Sequence, residues 1–496
     1  MHLASLPWQD TPLPYANALL SERWPLLLDS QGAGRWHILV ANPRATAVLT
    51  EAGWQFDGWP GVYAESIVTE STSSETGAKS TPANNVEVDS FAVMAALQAW
   101  GEALKAEHLA AAEAETSAPL TKTAASKLPF ISGVMGYVGY AAPSEHGLPK
   151  RRGDDWPLAT LVYYDQGIAL DCKAHEAWVW ASDAMSIAEW QNWQQCCVVN
   201  SEANPEAKPA AKLEAFQLKT PFQALTTQQR YADDIARIHE LIRAGDCYQV
   251  NYTQAYEARY SGRLWTRYEE LRELARAPHG AYWALPWGEL LSLSPEQFIG
   301  INDRTLTTRP IKGTRARGND SEQDQAEACA LTASAKDMAE NIMITDLLRN
   351  DLSKHARIGS VSVPELCALK SFGQVHHLVT TITAGLNSDA TVDEVLRDAF
   401  PGGSITGAPK KRAMEIIEAI EPTARGVYCG MLFYWDARGR VDSSITIRTL
   451  AAKDGVVRTW AGGGITLDST WQAEYEECWS KMGGVMDTLS VHYLHK

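Results

Sequence analysis

No apolar run in this 496-residue chain reaches the roughly 18–20 residues that a membrane-spanning helix needs. The N-terminus, MHLASLPWQDTPLPYANALL, has no basic stretch leading into an apolar one, so no secretory leader is expected. Positive charge is scarce: 44 Lys and Arg against 60 Asp and Glu leave a formal charge of -16. That argues against a nucleic-acid partner, which asks for a basic face, but leaves room for a small anion in a local basic pocket. The eight cysteines, at 172, 196, 197, 247, 329, 367, 429 and 478, include no CxxC pair. Neither a disulfide framework nor a zinc site is therefore expected, and reduced thiols in a cytoplasmic protein are the plain reading. No internal repeat is present.

What the chain has is a core-forming composition, 45% hydrophobic and 21% charged, with length for one large domain or several. Its 18 tryptophans follow no pattern, which suits core packing better than a cofactor site. Two stretches read as surface insertions: the Ser/Thr-rich 69–88 and the Pro/Ala/Glu/Lys-rich 201–214. Between them, 103–117 has helix-forming composition and the TKTAASK that follows reverts to loop. The organisation expected is an N-terminal segment 1–200, a linker 201–220 and a second segment 221–496. WHILVA (36–41), ATLVYYD (159–165) and AWVWA (177–181) are strand-like, while 229–246 spaces Ile235, Ile238, Leu241 and Ile242 as a helix that Gly245 ends. Strands and helices do not alternate strictly, so the fold class predicted is α+β.

Several segments carry candidate chemistry. TRPIKGTRARG (308–318) sets Lys312 in a turn between Pro310 and Gly313, flanked by arginines. It reads either as a solvated basic loop, which the residues alone favour, or as the seat of a lysine made nucleophilic by burial and nearby cations. Glu296 ends an apolar strand 16 residues earlier; taken alone it reads as a surface or capping residue, though the spacing suits two adjacent strands carrying a carboxylate and an amine to one site. In SAKDMAENIMITDLLRNDL (334–352), Met338, Ile342, Thr345, Leu348 and Leu352 form the predicted buried stripe, with Glu340 off it. In the last helix Ser469 is the predicted cap, and Glu474, Glu477 and Lys481 share a face. They read as a surface ion-pair ladder or as holders of a hard divalent cation beside an anion. FPGGSITGAPKKRAMEIIEAIEP (400–422) leads from a flexible turn into a helix with Pro409 at its first position and Ala413, Ile416, Ile417 and Ile420 buried. TWAGGGITLDS (459–469) reads as a glycine turn after a strand, and SSITIRTL (443–450) as a strand presenting Arg448 opposite Ile445 and Ile447.

Together these segments resemble the chorismate-utilising family, which includes anthranilate synthase, aminodeoxychorismate synthase and isochorismate synthase components. The resemblance is dense over 225–490 and thin before it, through PLLLDS (25–30) and GVMGYVGY (133–140). It implies a large α/β sandwich on two antiparallel sheets with the active site in the C-terminal portion. It implies Mg2+ held by Glu340 and Glu477, with Glu474 nearby. It also implies substrate contacts from Arg448, Tyr428, the Gly462, Gly463 and Gly464 backbone, Ser404 and Lys481, and His377 near the substrate ring, with His376 structural. Family members that add water carry a lysine where this chain has Gln249, so the resemblance points to an ammonia user. PIKGT, with Lys312, marks the aminodeoxychorismate branch, whereas the anthranilate branch has PIAGT. That branch aminates chorismate at C4 on the way to para-aminobenzoate and folate, with Lys312 as covalent nucleophile, Glu296 as acid, and ammonia from a separate glutamine amidotransferase subunit. The competing readings are an anthranilate synthase component I and a non-catalytic subunit that senses tryptophan. Ser30 and Pro278 fit the wall of the family's N-terminal tryptophan pocket.

Overall fold

The long strand Gln249–Ser261 pairs with Val456–Ile465 along almost its whole length. Its buried Val250, Tyr252, Ala255 and Tyr256 are residues suited to a sheet with helices against it. From this pair a 13-stranded antiparallel sheet extends, and a second antiparallel sheet has 11 strands. This computed structural model describes residues 2–31, 33–59, 89–112, 126–142, 156–182, 187–191, 213–318, 320–372 and 375–491. The polar stretch 69–88, most of 201–214, and Cys196 and Cys197 lie outside the described residues.

Both sheets draw strands from either side of 201–220. Leu26–Asp29 pairs with His279–Leu285 in the first sheet, and Gly133–Val138 pairs with Met431–Asp436 in the second. Aromatic side chains fill the space between the sheets. Trp283 of the first meets Tyr137 of the second edge-on at 6.1 Å, and both rings are fully buried. The α+β class expected from the sequence, and the two antiparallel sheets that the resemblance implies, are the observed architecture. No helix among the described residues is long and apolar enough to cross a membrane. The six described cysteines are all free.

The helices lie against the sheets and position the site. Gln228–Arg243 starts where the Thr227 side chain accepts from the Arg230 N–H and stops before Gly245, which takes φ +85. Ser90–Ala112 begins well before the predicted 103–117, and its last predicted residues lie outside those described. Ala335–Ser353 packs on the second sheet and Trp471–Ser490 on the first.

Several local expectations are corrected. In Ala335–Ser353 the buried positions are Asn341, Ile344, Thr345, Leu348, Asp351 and Leu352, whereas Ile342 is exposed. The Asn341 amide turns inward because it donates to the Leu378 carbonyl at 3.1 Å, and polar satisfaction moves the buried face by one position. The last helix is capped by Thr470, not Ser469. The Ser469 hydroxyl donates instead to Glu474 Oε1 at 2.7 Å. Pro409 is the cap of Lys410–Ile420 rather than its first residue; Ala413, Ile416, Ile417 and Ile420 are buried as expected.

Candidate active site

Glu296 and Arg448 sit where the chain passes from one sheet to the other. Gly288–Ser294 belongs to the first sheet and Gln297–Asn302 to the second, so Glu296 lies in the crossing. Val441–Ile445 belongs to the second and Thr449–Lys453 to the first, so Arg448 lies in a return crossing. The predicted continuous strand 443–450 is thus two strands, broken where Arg448 adopts φ +50. The two crossings are bonded side by side. The Ile445 N–H donates to the Glu296 carbonyl at 3.2 Å, the Leu293 N–H to the Arg448 carbonyl at 3.0 Å, and the Ser294 hydroxyl to the Ile445 carbonyl at 2.6 Å.

Lys312 arrives from a different place than expected. Its strand, Ile311–Ala316, pairs with Val375–Gly385 and is not a neighbour of Gln297–Asn302. The register shifts between Ile311 and Thr314, and Gly313 takes φ +83. Such a bulge re-aims side chains. Lys312 Nζ donates to the Ser404 carbonyl at 2.9 Å, in the one-turn helix Gly403–Ile405 that follows the glycine-rich turn.

The three glycines also differ from expectation. Gly462, Gly463 and Gly464 lie inside Val456–Ile465, opposite Thr253, Tyr252 and Asn251. They are needed for approach rather than for turning. A Cβ on Gly463 would lie 2.8 Å from Glu474 Oε2 and 3.6 Å from Glu477 Oε1, and one on Gly464 would lie 1.9 Å from Gln249 Nε2.

These elements line a cavity of ≈ 480 Å³. Glu296, Lys312, Glu340, His377, Ser404, Tyr428, Arg448, Gly462, Gly463, Gly464, Glu474, Glu477 and Lys481 all line it. Gln249 does not; it is buried beneath Gly464, its amide nitrogen without a hydrogen-bond partner among the described residues. His376 turns away to bond Ser371 and Asp324. Sequence reasoning missed Asn251 and Lys336, which also line the cavity. Asn251 could have been found by strand alternation from Gln249, and Lys336 by its position one helical turn before Glu340.

The electrostatics are set by burial among charged side chains. Burial pushes the Glu296 carboxyl up to about 7, outweighing the opposing influence of Ser404 and Lys312. Burial lowers the Lys312 amine against the pull of Glu340 and Glu296. Burial, helped by the Arg448 charge, drives His377 down to about 3, and its Nδ1 lies 2.8 Å from the Thr314 hydroxyl. The Tyr428 ring stacks on Trp460 at 5.8 Å. Arg448 lines the cavity, and no ion pair engages it among the described residues.

Acid and amine alternate on the far wall. Lys481 Nζ lies 2.6 Å from Glu477 Oε1 and donates to the Gly462 carbonyl at 2.8 Å. Lys336 Nζ lies 3.6 Å from Glu474 Oε1 and 4.0 Å from Glu340 Oε1. Burial raises Glu340, whereas at Glu477 burial is outweighed by Lys481 and the other amines, leaving it low. Among the described residues no three His, Cys, Asp or Glu side chains are already drawn together as a metal cluster.

The family model for chorismate binding enzymes matches residues 64–487. This chain is a member of the chorismate binding enzyme family. Among its relatives, aminodeoxychorismate synthase component 1 of Klebsiella aerogenes is 36% identical over 98% of both chains. The Escherichia coli protein of that name is 41% identical over 73% of this chain and 78% of its own length. Anthranilate synthase component 1 of Bacillus subtilis is 38% identical over 75% of each. In fold, this chorismate binding enzyme resembles anthranilate synthase component I of Streptococcus pneumoniae, with a TM-score of 0.69 at 24% identity over 91% of this chain and 92% of that one.

Proposed function

We propose that this enzyme replaces the C4 hydroxyl of chorismate with an amino group, giving 4-amino-4-deoxychorismate for para-aminobenzoate and folate synthesis. The observation that carries the reading is Lys312: a lysine in the cavity wall, aimed by the neutral Ser404 carbonyl and shifted by burial towards the free amine. The relatives named aminodeoxychorismate synthase component 1 support it.

Two allylic displacements accomplish the exchange. The Lys312 amine bonds to C2 while both ring double bonds shift by one position and the C4–O bond breaks, and protonated Glu296 gives its proton to the departing hydroxyl, which leaves as water. The proton shed by the new secondary ammonium returns to Glu296. Ammonia then bonds to C4, both double bonds shift back, and the C2–N bond breaks as Glu296 gives its proton to the departing nitrogen, which releases Lys312 as the free amine and leaves the new C4 ammonium on the product. A carboxyl near 7 holds the proton in a usable fraction of molecules at neutral pH. Arg448 clamps the enolpyruvyl carboxylate, with Tyr428, Ser404, Lys481 and the Gly462–Gly464 backbone as further contacts. His377, neutral, lies near the ring.

Glu340, Glu477 and Glu474 are assigned to Mg2+. Their hard oxygen donors suit that ion, and the missing Cβ of Gly463 leaves a cradle beside two of them. When bound, the ion supplies charge neutralisation for the ring carboxylate. Ammonia is assigned to a separate glutaminase subunit, so this chain alone should use ammonium salts but not glutamine. Ser30 and Pro278 line a second cavity of ≈ 390 Å³, where the Ser30 hydroxyl is buried without a partner among the described residues. That cavity is assigned to tryptophan, to be checked by calorimetry with the free amino acid.

The test of the function is mass spectrometry of the products from chorismate, Mg2+ and ammonium salt. A product that keeps its enolpyruvyl group is expected. Anthranilate with released pyruvate would overturn the assignment.

A further inference from the structure

The two ion pairs on the cavity wall are not equivalent. The Lys481 amine is tied down by a main-chain carbonyl as well as by Glu477. The Lys336 amine has only carboxylates for ion-pair partners: Glu474 from the last helix and Glu340 from its own. Its side chain is 48% exposed, whereas those of Glu474 and Glu340 are 3% and 14% exposed. A half-exposed arm thus brings a positive charge to two carboxylates that are much less exposed than it is. Glu474 cannot follow it outwards, because Ser469 holds the Oε1 atom that faces Lys336.

We propose that Lys336 competes with the divalent cation: its ammonium group bridges Glu474 and Glu340 and must swing off them towards solvent when the metal binds. The inference rests on the assignment of Mg2+ to these carboxylates. Like charges cannot share one pair of carboxylates at such distances without strong repulsion, and the flexible, half-exposed partner is the one able to leave. A lysine in this place keeps two buried like charges compensated while the cation is away, and it sets a threshold of metal concentration for filling the site.

The full-length chain can be titrated with Mg2+ by calorimetry, and with Mn2+ by electron paramagnetic resonance, in the wild type and in Lys336→Gln, Lys336→Ala and Glu477→Gln. Removing the competing charge should tighten metal binding by about threefold to tenfold, the range of a half-exposed ion pair. A merely structural lysine would not give tighter binding when removed. In parallel, saturating Mg2+ should increase labelling of wild-type Lys336 by an amine-reactive reagent, read by mass spectrometry of its peptide. Tighter binding in both Lys336 variants, with weaker binding in Glu477→Gln and faster labelling, supports the proposal. Unchanged or weaker binding in the Lys336 variants, or labelling that does not rise, overturns it while a weakened Glu477→Gln leaves the metal assignment standing. Unaltered binding in Glu477→Gln overturns both.

Discussion

Lys312 Nζ donates to the carbonyl oxygen of Ser404 at 2.9 Å. A neutral acceptor orients the amine without the strong stabilisation of its charge that a bonded carboxylate would give. Chorismate supplied without ammonia should therefore leave a covalent adduct of chorismate minus water on the peptide containing Lys312, detected by intact mass and peptide mapping. Borohydride should not affect it, because no imine forms. Lys312→Ala should abolish the adduct, and Lys312→Arg should do the same, since guanidinium stays charged. An adduct on another residue would reject Lys312 as the nucleophile.

Glu296 gives a prediction in pH. Its carboxyl lies at about 7 in the fold against an ordinary value of 4.5, so the folded state favours the protonated form. The associated stability is fully present below the ordinary value and is lost as pH rises through about 7, amounting at most to about 3 kcal/mol. Glu296→Gln, which mimics the protonated acid, should match the wild type in thermal stability near pH 4 and exceed it near pH 8. In the wild type, single-turnover adduct formation should lose its acid-dependent contribution over the same upper range. Equal stability differences at both pH values would show that the carboxyl is not raised.

Glu340 is partly buried close to other carboxylates, and Asp337 and Glu474 add to the rise in its pKa. Glu340→Gln removes that repulsion, so its melting temperature should be unchanged or higher. Turnover at limiting Mg2+ should fall by an order of magnitude or more, roughly what loss of one charged ligand implies. Near-native turnover under those conditions would remove Glu340 from the metal site.

Gly464 should be intolerant of the smallest change. A methyl group there would lie 1.9 Å from Gln249 Nε2, in a side chain that is 1% exposed and has little room to yield. Gly464→Ala should cost about 1–3 kcal/mol in urea denaturation. Adding Gln249→Ala should recover much of it, because the displaced amide nitrogen has no hydrogen bond to lose among the described residues. Additive losses in the double variant would show that the clash lies elsewhere.

The α+β class and the helix and strand cores were legible because burial imposes their periods: Ile235 and Ile238 face inward, as do Val250 and Tyr252. The candidate site was legible as a set of residue types, but its geometry was not. SITIRT alternates without interruption, and nothing in that alternation signals that the chain changes sheets at a left-handed Arg448. Three consecutive glycines read as a turn because a turn is their commonest use; here a partner strand and two carboxylates require the absent side chains. Ser469 and Thr470 are both competent caps, and the choice between them depends on a hydrogen bond to Glu474 that local sequence does not contain. Lys336 was overlooked because its partner Glu474 is far away in sequence, and only packing of the two helices about one cavity brings them together.

The paired crossings at Glu296 and Arg448 have a consequence for how this architecture can diversify. Main-chain bonds between Ile445 and Glu296, and between Leu293 and Arg448, with the Ser294 hydroxyl on the Ile445 carbonyl, make the crossings a ruler set mainly by the backbone. Under the proposed assignment, a substrate held by the guanidinium would meet the carboxyl at an interval set by these crossings. The strand bearing Lys312 hangs on other partners and lies outside that ruler. Under the same assignment, the nucleophile at position 312 could be exchanged as one changes the bit in a drill, without recalibrating where the leaving group is presented.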